Sequence, residues 1–265
     1  MSKTHSLVPL VAACLIFSAL DGWAVETESE PPTVISTTQG LYEVHRSGKR
    51  LGSETFIERV LSSNTVIIES TYDVLAQDSA FVTGNNRLEY EEDSGFPRSY
   101  YTQKKIEKDG TLQIHEATAK MFANVVVWEN RVDDVEQRQV LELPTGCLFV
   151  EGNVVHHVTV VLDRYNASAG GKQTYRAFDP MGGRATNVML EYIGESTIDA
   201  ETPGPAGLPR DKQLSHYKYF AGRLSQADIF VNSAGFVVRV DVENVDMEYV
   251  LVSVEQHNGD FGSSQ

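Results

Sequence analysis

At 265 residues the chain is long enough for one large β domain or two smaller ones. Its 37 acidic residues against 22 lysines and arginines leave a net charge of −15, which repels nucleic-acid phosphates and anionic headgroups alike. With only Cys14 and Cys147, a disulfide-stapled scaffold is excluded and the core must supply the stability.

Residues 1–24 read as a cleaved secretory signal peptide. Lys3 and His5 give a basic start, Leu7 to Leu20 an apolar run, and Gly22-Trp23-Ala24 the small residues of a cleavage site. The run is too short for a comfortable transmembrane helix, and no later stretch equals it without charges, so no transmembrane span is expected. Val11-Ala12-Ala13-Cys14 resembles a lipobox, which would leave a lipid anchor at Cys14. Against it, few apolar residues precede Cys14 and Leu15-Ile16-Phe17 prolong the run, so cleavage after Ala24 is preferred. Such cleavage removes Lys3 and Asp21 together, keeps the charge at −15, and leaves Cys147 as the sole cysteine. The expected destination is the periplasm or cell envelope.

Val25 to Gln39, acidic and rich in Pro, Ser and Thr, reads as a disordered linker. A single β-rich domain is expected over 40–255. Its first half is a meander of strands at Leu41–Arg46, Arg50–Val60, Asn64–Leu75, Phe81–Tyr90, Arg98–Ile106, Leu112–Ala117, Asn124–Trp128 and Val135–Leu143. Ser47-Gly48, Asp93-Ser94-Gly95 and Asp109-Gly110 punctuate it as turns. Val66, Ile68, Ser70 and Tyr72 share one face of their strand.

The meander breaks between Pro144 and Gly171. Val154, Val158, Val161, Leu162 and Tyr165 fall at helical spacing, with Asn153 as an N-cap and Asn166 with Gly170-Gly171 as the stop. Five valines and a threonine argue instead for a strand. Helix is preferred because the caps agree with the period. Strands resume at Gln173–Phe178, Ala185–Ile193, Leu214–Phe220, Ala227–Val231, Phe236–Glu243 and Met247–Glu255. Pro203 to Pro209 is an irregular loop, and 256–265 a loose tail. Phe236, Val238, Val240 and Val242 alternate with Arg239, Asp241 and Glu243, the mark of an antiparallel sheet with one wet face. The expected fold is mainly β, a bent antiparallel sheet or incomplete barrel wrapped around one central helix. The segments 87–96 and 227–236 echo each other, as do 51–56 and 193–198, which leaves open a duplicated architecture or merely similar hairpins.

Three marks carry a resemblance. They are Tyr42-x-Val44 before Leu51-Gly52-x-Glu54-Thr55-Phe56, a His156-His157 segment before Asp163-Arg164-Tyr165, and a closing Ser233-x-Gly235-Phe236-x-x-Arg239-Val240. Together they resemble the uncharacterised exported β-proteins of bacteria, domains of unknown function. Their curved sheet is similar to the periplasmic lipoprotein-carrier half-barrel, in which a bent sheet closes on a short helical lid. That resemblance implies a fold far more than a role.

Chemistry-bearing residues are few. Adjacent His156 and His157 point about 100° apart on a helix, so one metal cannot readily take both. His157 is expected partly buried and bonded to backbone, with His156 more exposed. Cys147 is expected to be a small buried core thiol. Glu54 and Glu195 invite comparison with a paired-carboxylate site, against the plainer reading that both face solvent. No nucleophile elbow, metal-binding helix, phosphate loop, dinucleotide fingerprint or calcium loop occurs. The leading expectation is a non-catalytic, monomeric protein without cofactors that binds an apolar small molecule or lipid in the concave face of the sheet. Val154, His157, Val158, Val161, Leu162 and Tyr165 would line the site. A structural or protein-interaction role with a fully packed core is the alternative, and an enzyme with dispersed carboxylates the third.

Overall fold

A computed structural model describes residues 31–76, 79–151, 154–197, 206–208, 213–221 and 225–259. The expected signal peptide, the Cys14 lipobox and the Asn153 cap lie outside the described residues.

Tight turns dictate the first half. Strands β1 (Val34–Arg46) and β2 (Lys49–Leu61) are joined by Ser47-Gly48, whose φ values of 50° and 74° give the mirror-image turn that matches hairpin twist. The strands β3 (Thr65–Leu75), β4 (Phe81–Glu91), β5 (Pro97–Lys108), β6 (Thr111–Phe122), β7 (Val125–Val132) and β8 (Val135–Glu142) follow. Asp109-Gly110 makes the same turn between β5 and β6, with φ values of 51° and 75°. After β8 come the two-residue β9 (Leu148–Phe149) and the helix α1 (His157–Leu162), and then β10 (Lys172–Asp179) and β11 (Arg184–Thr197). The chain ends in β12 (Gln213–Ala221), β13 (Ser225–Val231), β14 (Val237–Val242) and β15 (Met247–Asn258).

All of these strands form one sheet of 15, ordered β8-β7-β6-β5-β4-β3-β2-β1-β15-β14-β13-β12-β11-β10-β9. Every neighbouring pair is antiparallel except β9 and β10, whose Leu148 and Phe149 run parallel to Ala177 and Phe178. β1 therefore lies inside the sheet, paired with β2 on one side and β15 on the other. The sheet is open, since β8 and β9 end it without pairing to each other. It nevertheless curls until its two wings meet. Trp128 on β7 donates its indole N–H to the Pro180 carbonyl (2.6 Å) in the β10–β11 turn, and Tyr100 on β5 meets Phe149 on β9 edge to face. The main core draws on both wings and on residues of the crossing segments 143–150 and 155–161, which lie on the concave face.

Three expectations need correction. Regular structure begins at Val34, inside the stretch expected to be a disordered linker, because the β-branched run around Thr37-Thr38 is paired on both edges. The tail expected to be loose from residue 256 is strand through Asn258, which pairs with Ser36. The central helix is only six residues long and without a side-chain cap. Six residues of Val, Thr, His and Leu cannot hold more helix than tertiary packing enforces. Of the loop expected to be irregular at 203–209, only 206–208 fall among the described residues, and there Ala206 bridges to Ser253 of β15.

Candidate functional site

Alternation along β2 turns Glu54, Phe56 and Glu58 toward the concave face and Thr55 outward. Glu54, with 1% of its surface exposed, reaches the crossing segment. There its carboxylate accepts the backbone N–H groups of Val155 (3.0 Å) and His156 (3.3 Å), just ahead of α1. These bonds favour the carboxylate, but burial outweighs them and the negative charge of Glu151 adds to it, so the Glu54 pKa is pushed up to about 7. His156 stacks on Phe56 with centroids 3.9 Å apart and places Nε2 3.0 Å from a Glu58 oxygen. His156 is the more exposed of the two histidines, as expected, but only at 4% against none for His157. It is buried because Phe56 and Glu58 take its two sides.

His157 is fully buried and meets Tyr100 edge to face at 5.7 Å, with neither ring nitrogen reaching a protein partner. The expected backbone bond does not form, and burial drives its pKa down to about 3. Tyr100 donates instead to Glu151, whose other oxygen has no protein partner. Burial raises the Glu151 pKa, while Tyr100, Thr102 and Lys104 oppose that rise.

Beside this pair the sheet carries a row of small polar residues. Ser70 pairs with Asn86 and Asn86 with Thr102, so the three stand side by side on β3, β4 and β5. All three are buried; Ser70 Oγ and both Asn86 amide atoms have no protein hydrogen-bond partner, and the Thr102 hydroxyl lies beside Glu151 and Tyr100. Tyr72, one position along the same face, also leaves its hydroxyl unpartnered. Its ring lies over Gly84, where a Cβ would come within 2.3 Å of it, so no larger residue fits there. Beyond this row sits a small apolar cluster apart from the main core, made of Tyr72, Val82 and Val154 with Ala76 and Ile106 against it. In the other direction Ala117, Asn130 and Gln137 continue the register into a groove of about 610 Å³ along β6–β8, lined also by Glu116, Arg131 and Arg138.

The residues expected to line a site are divided by the structure. Val158 and Val161 are in the main core, with Leu162 and Tyr165 packed partly buried against it; Val154 belongs to the separate apolar cluster and His157 sits against Tyr100. Glu195 is exposed on β11 and does not approach Glu54; the acidic neighbour of Glu54 is Glu151. The guanidinium of Arg164 fills the space over Gly95, which has a φ of 55°. Cys147 is buried, as expected, and burial lifts its thiol pKa to about 11, the opposite of an activated nucleophile. Sequence reasoning missed Ser70, Asn86, Thr102, Tyr100 and Glu151. One sign was available, a small polar residue at the centre of the inward face of three successive strands.

No family model matches the chain, and no curated protein matches it. Among solved structures it is similar to the β-barrel-like protein of the domain of unknown function DUF1849 from Brucella abortus. The match has 12% identity and a TM-score of 0.61, and it covers 85% of this chain and all of that one. What the two share is a fold, a barrel-like β architecture already known in a protein of undefined role.

Proposed function

We propose that this is an exported, non-catalytic binding protein that holds one small amphiphilic, lipid-like molecule between β3–β5 and the residues Phe149–Glu151 and Val154–Val155. The apolar leader-like stretch Leu7 to Leu20 supports export. One observation carries the binding reading, the buried polar side chains Ser70 and Asn86, which leave a hydroxyl, an amide nitrogen and an amide oxygen without a protein partner beside Thr102. Each such group costs about 1–3 kcal/mol when nothing satisfies it, so these adjoining groups are expensive as mere packing. With the apolar cluster around Val82 and Val154 beside it, the row offers one end for hydrogen bonds and one for hydrocarbon. A purely apolar ligand would leave the row unmet, and this moves the reading from apolar to amphiphilic.

The test is extraction of the purified, secreted protein with organic solvent, followed by mass spectrometry. A stoichiometric amphiphile is expected. An empty extract, together with no uptake of long-chain amphiphiles by the delipidated protein, would favour the fully packed structural reading. The burial of Val155, His156, His157, Val160 and Val161 against the concave face supports that second reading.

A further inference from the structure

Resting on that reading, we infer that the site selects an uncharged head group bearing both hydroxyl or amide donors and acceptors, such as a monoacylglycerol, over a carboxylate, a phosphate or an amine. The inventory of the row is the first argument. Ser70, Tyr72 and Thr102 hydroxyls each donate and accept, and Asn86 offers a free amide NH2 and a free carbonyl oxygen. A head group that satisfies them must itself carry both functions. A carboxylate or phosphate only accepts at neutral pH, and an ammonium only donates.

Charge is the second argument. Glu151, 3% exposed and with one oxygen free, flanks the row, and Glu54 lies close enough to feel its charge. An anionic head would meet these carboxylates in a poorly solvated space. Lys104 is one strand position beyond Thr102 on the same face, and its charge acts on Glu151. An incoming ammonium would therefore meet the lysine cation beside that carboxylate. A neutral hydroxyl can donate to the free Glu151 oxygen without either conflict. A hydrogen bond to a buried partner separates such ligands by about tenfold each.

The experiment compares 1-oleoylglycerol, oleate and oleylamine, which share one chain and differ only in the head, by calorimetric titration of the delipidated full chain. The expected result is binding of 1-oleoylglycerol at least about tenfold tighter than either charged analogue. Asn86→Leu and, separately, Thr102→Val should each weaken it by about tenfold and narrow its margin over oleate. Equal binding of all three would overturn the inference and leave the amphiphile reading intact, as would tightest binding of oleate or oleylamine. Binding of none would overturn both. The comparison on the unmutated chain holds even if a variant fails to fold.

Discussion

At the residue scale two buried groups oppose each other across the acid range. Glu54 titrates near 7 in the fold against an ordinary 4.5, so it favours folding below pH 4.5 and loses that contribution as pH rises through about 7. His157 titrates near 3 against an ordinary 6.5, so it favours folding above pH 6.5 and loses that contribution as pH falls toward 3. Between about pH 4.5 and 6.5 the folded state holds one extra proton at Glu54 and lacks one at His157, and the two slopes cancel. Urea unfolding across that window should show little pH dependence from this pair. Glu54→Gln, which still accepts the Val155 and His156 N–H groups, should make stability rise with pH by up to about 1.4 kcal/mol per unit. His157→Leu should make it fall with the same slope, and a flat profile in both variants would contradict the burial of these groups. A simpler expectation concerns Cys147: the native thiol should resist alkylation until denaturant is added, and Cys147→Ala should cost on the order of 1 kcal/mol by thermal melting.

At the scale of the element, α1 shows how far periodicity reaches. The apolar spacing from Val154 to Tyr165 located a buried segment, and a helical turn does form within it. Its length was not legible, because strand-favouring valines hold helical geometry only where Glu54 and the core hold the backbone. Leu162 is partly buried whereas Val161 is completely so, which ranks two substitutions. Val161→Asp should destabilise by about 3–5 kcal/mol and Leu162→Asp by clearly less, measured by chemical denaturation. Equal losses would mean that the segment packs differently. The hairpins were legible in detail because Ser47-Gly48 and Asp109-Gly110 act locally. β9 was not, since two residues paired in parallel leave no alternation to read. The row of Ser70, Asn86 and Thr102 needed cross-strand register, which no single strand displays. The echo between 87–96 and 227–236 holds for the positive φ of Gly95 and Gly235 but not for the strands. Leu88 faces inward at a position matched to Asp228, whereas the inward residue of β13 is Ile229.

At the scale of the whole molecule, closure depends on side chains where backbone pairing stops. Trp128 is fixed to the Pro180 carbonyl and sits within contact of Gly183, so one indole joins wings that no ladder connects. Trp128→Phe leaves that carbonyl without its donor and should cost about 1–3 kcal/mol by urea unfolding. Because the chain has only one other tryptophan, Trp23, the fluorescence of a chain begun at Val25 should report on this seam alone. An emission maximum typical of exposed indole would show that the wings are apart.

The pairing of β1 with β15 also governs the order in which the molecule can be completed. A chain emerging from its N-terminus can zip β1 through β8 from neighbouring hairpins, each closing a short loop. Throughout that time the far edge of β1, from Ser36 to Arg46, presents unsatisfied backbone groups, and its proper partner is the last strand to be made. The nascent half-sheet is thus a template that another copy could occupy first. Linking the present ends and opening the chain in the Asn166–Gly171 turn would deliver β15 directly into β1, removing the wait without changing a contact in the finished sheet.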